Sequence, residues 1–153
     1  MRFVIGTKNG KALKFDELED VRAMGRTATG VRGIKLEGND EVVGIEVALE
    51  KGALLTITEN GYGKRTRMSE YSLVHRGGKG VINIQTNKRN GKVVGIQTVM
   101  DHDEVLVTSK KGIVIRIPAS DISVMGRNTQ GVRIMRLEDG DKVTTVTRVI
   151  ERT

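Results

Sequence analysis

Apolar residues in this chain recur with the period of strands rather than helices. Phe3-Val4-Ile5, Leu54-Leu55 and Val105-Leu106-Val107 form short, almost unbroken apolar runs. Such runs are expected where a strand is covered on both faces. Val43, Ile45 and Val47 instead alternate with Gly44 and Glu46, and Val94 and Ile96 flank Gly95. That alternation predicts strands with one face exposed. Val132 and Ile134 flank Arg133, then Met135 and Leu137 flank Arg136, so the period slips and a bulge is expected. Glu59-Asn60-Gly61 and Arg89-Asn90-Gly91 read as hairpin turns. Residues 16–24, 68–74 and 119–125 have room for a helical turn but not for a stable helix.

These elements recur. Gly10, Gly61 and Gly112 each close a polar turn, at a spacing of 61 − 10 = 51 and 112 − 61 = 51 residues. A base follows four residues later each time: Lys14, Arg65 and Arg116. The pattern Arg-x-x-x-Gly-Val starts at Arg26, Arg76 and Arg127, and a later strand opens at Val42-Val43, Val93-Val94 and Val143-Thr144. Three landmarks in phase define three repeats, 1–52, 53–104 and 105–153. About four strands per repeat is the signature of propeller blades. The expected fold is all-β: a partial, propeller-like domain of three blades, half of a closed ring. Its open blade edges favour pairing with another chain, so self-association is also expected.

Composition narrows the chemistry. The 153 residues carry 26 Lys and Arg against 19 Asp and Glu, a net charge of +7, with no Cys and no Trp. Disulfides, thiolate metal sites and thiol nucleophiles are therefore excluded. No apolar run is long enough to cross a bilayer as a helix, and a cytoplasmic protein with no membrane partner is expected. The charge is uneven. Residues 1–52 hold nine bases and nine acids, 53–104 eight and five, and 105–153 nine and five. Bases at equivalent positions of a ring make an arc of cations at one height. Such an arc suits a curved polyanion, since duplex DNA presents a charge about every 1.7 Å along its axis. The Arg-x-x-x-Gly-Val arginines are equally suited to tying their loops to backbone carbonyls. Arg76-Gly77-Gly78-Lys79-Gly80 is a further anion candidate, because paired glycines let backbone amides approach a phosphate. It lacks the Ser/Thr and the following helix that a Walker loop needs.

Val21-Arg22-Ala23-Met24-Gly25-Arg26-Thr27, Gly30-Val31-Arg32-Gly33-Ile34, Asn60-Gly61-Tyr62-Gly63-Lys64-Arg65-Thr66 and Gly126-Arg127-Asn128-Thr129-Gln130-Gly131-Val132 closely resemble the C-terminal domain of the DNA gyrase A protein. The likeness runs over essentially the whole chain and points to the last three blades of a six-bladed β-pinwheel, whose neighbouring blades exchange strands. It implies a rim that binds and wraps double-stranded DNA without sequence preference. Such wrapping supports negative supercoiling by an enzyme completed by the rest of gyrase A and by gyrase B. Val74-His75-Arg76-Gly77-Gly78-Lys79-Gly80 matches five of the seven positions of the family's Gln-Arg-Arg-Gly-Gly-Lys-Gly box and reads as a degenerate copy. The candidate DNA contacts are Lys14, Arg26, Lys64, Arg65, Arg76, Lys79, Arg116 and Arg127.

No cofactor, metal ligand set or catalytic group is expected in the chain itself. Tyr62 and Tyr71 read as structural, and Asp101-His102-Asp103-Glu104 as a solvated turn. Two alternatives stand beside the gyrase reading: the related domain of topoisomerase IV, and a propeller whose repeated arginines pack blades and whose edges bind polypeptide.

Overall fold

The computed structural model describes residues 1–17, 30 and 32–150 of the chain. The eleven strands within it form three antiparallel sheets, one for each repeat. In the first sheet β1 (Arg2–Thr7) lies between β2 (Lys11–Asp16) and β3 (Val42–Val47). In the second, β4 (Ala53–Thr58) lies between β5 (Tyr62–Arg67) and β7 (Val93–Val99). In the third, β8 (Glu104–Ser109) lies between β9 (Val114–Pro118) and β11 (Val143–Val149).

The two shortest strands carry the connection between repeats. β6 (Val81–Ile82) belongs to the second repeat but pairs with Lys11 and Ala12 of the first sheet. β10 (Val132–Arg133) belongs to the third and pairs with Tyr62 and Gly63 of the second. The second and third repeats thus each supply the fourth strand of the sheet before them. The glycine closing each of the first two hairpins receives the same segment: Gly10 O accepts the amides of Asn83 and Ile84, and Gly61 O those of Ile134 and Met135. Two consecutive amides on one carbonyl are the bulge expected after Val132.

Burial explains the apolar runs. Leu54 faces a core shared with Val4, Tyr71, Val93 and Ile96, between the first and second sheets. Leu55 and Ile57 face the opposite core, with Val99, Val105, Val107 and Val146, between the second and third. β4 is therefore buried along its whole length, and neither of its faces can carry a polar residue that does not find a partner. β3 is partly exposed, but on the face opposite to the one its alternation predicts: Ile45 is 54% exposed, whereas Glu46 is half-buried and accepts the Thr98 amide at 2.7 Å, because β7 packs on that side. β7 is not half-exposed: Val93, Ile96 and Val99 are all buried, because β3 and β11 pack on either side of it.

Arg89-Asn90-Gly91 is a turn, but not a hairpin, since the strands it joins lie in different sheets. Two of the expected helical turns appear as single 3-10 turns at Met68–Glu70 and Ala119–Asp121. Most of the third, over 16–24, lies outside the described residues.

Candidate nucleic-acid interface

The first two of the bases repeated every 51 residues, Lys14 and Arg65, sit at the joints between sheets. Lys14 is 4% exposed; its Nζ donates to Met68 O at 3.1 Å and to Glu50 Oε1 at 3.2 Å. Arg65 is 7% exposed; its Nε donates to Ile122 O, and its Nη1 to Asp101 Oδ1, both at 2.8 Å. Each reaches forward to the 3-10 turn of the next repeat and is held by a carboxylate 36 residues on (50 − 14 = 36 and 101 − 65 = 36). Asp101, read from sequence as part of a solvated turn, is thus also the counterion of this joint. Lys64 is sealed off completely. Its three ammonium protons go to Gly126 O at 2.6 Å, Arg127 O at 2.8 Å and Thr129 Oγ1 at 2.9 Å. Burial lowers its pKa to about 8.

Lys14 and Arg65 therefore do not form the solvent-facing arc of cations expected from the spacing; their charged ends, and that of the candidate contact Lys64, are held inside the joints between blades. Arg116 is exposed and paired with Glu104. Arg127 is half-buried, donating from Nε to Glu70 O at 3.0 Å and from Nη1 to Ile82 O at 2.9 Å. Arg76, also half-buried, donates to Arg32 O. Lys79 is exposed and pairs with Glu37 at 3.6 Å. Arg26 lies outside the described residues.

A different group of cations converges where the second sheet meets the third. The tip of the β4–β5 hairpin is clasped from both sides. On one, Asn60 Nδ2 donates to Lys88 O and Arg89 O, and Glu59 Oε2 accepts the Lys92 amide at 2.6 Å. On the other, Lys142 Nζ donates to Asn60 Oδ1, and the Val143 amide to Glu59 O. This clasp brings the exposed side chains of Lys88, Arg89, Lys92, Arg133, Arg136 and Lys142 to one region of the rim. Lys142 is shared with Glu59 at 3.9 Å; among the described residues the other five form no ion pair.

Tyr62, at the start of β5, is the centre of the group. Its hydroxyl accepts Arg89 Nε at 3.1 Å and Arg133 Nη2 at 2.9 Å. Both guanidinium carbons also stand close to the ring, 5.2 and 5.3 Å from its centroid. The hydrogen bonds from Arg89 and then Arg133 draw the hydroxyl pKa below its ordinary value, because nearby positive charge favours the phenolate. Periodicity could not expose this cluster. Fifty-one residues before Lys88 and Lys92 stand Glu37 and Glu41, so the cations are not repeated. The one sequence signal is local: Lys88-Arg89 within an Asn-rich turn.

The family described as DNA gyrase C-terminal domain, beta-propeller, matches residues 2–48, 53–100 and 103–150. The chain belongs to that family. The DNA gyrase A protein of Klebsiella oxytoca is 49% identical to it over 142 residues, and that of Staphylococcus epidermidis 46% over 150. These alignments cover 93% and 97% of the chain but only 16% and 17% of the relatives. Among solved structures, a DNA gyrase A C-terminal domain superposes with a TM-score of 0.89 at 33% identity over 97% of the chain, which spans 50% of that domain. The C-terminal domain of a DNA topoisomerase IV reaches 0.88 at 27% identity. The fold is thus the partial propeller-like domain expected from the repeats, and the chain corresponds to a segment of gyrase A. Among the described residues no helix is long and apolar enough to cross a membrane.

Proposed function

We propose that this segment binds duplex DNA without sequence preference and bends it around its rim, supporting negative supercoiling by an enzyme assembled from the rest of gyrase A and from gyrase B. In this role the segment is not itself a catalyst. The observation that carries the reading is the convergence of Lys88, Arg89, Lys92, Arg133 and Arg136 at one joint of the rim, all exposed and without an ion pair among the described residues. Exposed like charges brought together raise the local potential and repel one another until a polyanion arrives. Phosphate contacts of this kind fix a duplex in place without reading its bases, as a wrapper requires. Smoothly bending a short duplex by roughly 40–90° costs on the order of 1–6 kcal/mol, an amount that several charge-assisted contacts can offset.

The test is the affinity for a short duplex at rising salt. Five neutralised phosphates give a log–log slope of about −4.5, at about −0.9 each. Lys88→Glu with Lys92→Glu flattens that slope and weakens binding equally for unrelated sequences. Binding that ignores salt identifies a protein-interaction propeller instead.

A further inference from the structure

The Tyr62 cluster is more specific than a basic surface. Two guanidiniums are held against one neutral ring, each donating to the same hydroxyl oxygen. Among the described residues neither Arg89 nor Arg133 has a carboxylate partner. Bringing two cations this close is unfavourable in isolation, and ordering two long side chains adds an entropic cost. Some exposed bases take a carboxylate, as Lys142 takes Glu59, Lys111 takes Glu138 and Lys79 takes Glu37, whereas these two arginines share a neutral phenol. The two arginines also come from different repeats. Arg133 lies on β10, the strand that the third repeat adds to the second sheet, while Arg89 lies in the turn before β7.

We infer that Tyr62, Arg89 and Arg133 form a preorganised clamp for a single phosphate group, in which Tyr62 is the positioning residue that aims both guanidiniums. Each guanidinium gives one N–H to the phenol and keeps the others for an anion; the planar donor fork suits phosphate oxygens. With its oxygen filled by two donors, the phenol fixes both guanidinium forks at one point. The lowered pKa of that hydroxyl is the electrostatic counterpart of the same arrangement. The clamp rests on the DNA reading only for the source of the phosphate, a backbone phosphodiester.

Two measurements test it. In the first, inorganic phosphate is titrated into the isotope-labelled chain at constant ionic strength, and the side-chain Nε–H resonances of Arg89 and Arg133 are followed. Both are expected to shift saturably and together; resonances that do not saturate overturn the clamp. The second is a mutant cycle on duplex affinity. Tyr62→Phe keeps the ring and removes the acceptor, and should weaken binding about tenfold in the parent, the worth of a charge-assisted bond. In the Arg89→Gln/Arg133→Gln background the same change should cost less than about twofold. Equal losses in both backgrounds overturn the positioning role. A parent chain that binds no duplex at low salt overturns the DNA reading, while the phosphate titration still decides the clamp.

Discussion

Two tyrosines in this chain sit in opposite electrostatic environments. Tyr62 receives two guanidinium hydrogen bonds, and its hydroxyl ionises below the ordinary tyrosine range. Tyr71 is 1% exposed between the first two sheets, bonded through its hydroxyl to Asn83, and burial pushes its pKa well above that range. An ultraviolet titration should therefore resolve one tyrosine ionising early and one resisting until the fold opens; in Tyr62→Phe the early step disappears. The two contribute to stability with opposite signs. Where the folded Tyr62 has lost its proton and the unfolded chain has not, a rise in pH stabilises the fold. For Tyr71 the unfolded chain loses the proton first, so stability falls as pH climbs past the ordinary value of about 10. Two coincident ionisations at that value would contradict both environments.

Among the elements, the hairpin turns show what a following repeat adds. Gly61 and Gly112 close equivalent turns with nearly equal positive φ, +87° and +91°. A Cβ on Gly61 would meet Met135 O at 2.3 Å, whereas one on Gly112 meets nothing within 4 Å. Gly112→Ala should cost only the left-handed backbone penalty, about 1–2 kcal/mol. Gly61→Ala should cost clearly more, because β10 and the bulge behind it must move. Equal urea midpoints would show that strand donation across this joint contributes little. The strand starts at Val42, Val93 and Val143 were legible from sequence because apolar spacing marks where strands lie. It does not report which element covers them. The spacing that marks Lys14 and Arg65 is the same whether their charged ends meet solvent or a carbonyl of the next blade. Arg89-Asn90-Gly91 likewise has the chemistry of a hairpin, and only the departure of β6 to another sheet makes it a crossing between blades.

For the whole molecule, charge around the rim is asymmetric, and that asymmetry bears on the path that the proposed function gives to DNA. Lys88 and Lys92 stand beside the second hairpin, whereas their counterparts 51 residues earlier are Glu37 and Glu41. Both acids are exposed, Glu37 against Lys79 at 3.6 Å and Glu41 against Lys8 at 3.9 Å. A duplex seated on the joint between the second and third sheets and curving on toward the first would meet this acidic stretch next. Exposed pairs of this kind contribute about 0–1 kcal/mol, so replacing them leaves the fold intact. Glu37→Lys with Glu41→Lys should therefore extend the cationic track, tightening duplex binding and steepening the salt slope by about 1.8 for two added phosphate contacts. It should also release Lys79 and Lys8 from their partners, so the gain is largest at low salt. Hydroxyl-radical footprints of parent and variant on one duplex provide the matching structural readout, with protection lengthening in the variant. An unchanged slope and footprint would confine the duplex to the second and third sheets, where bending has to come from the Tyr62 joint alone.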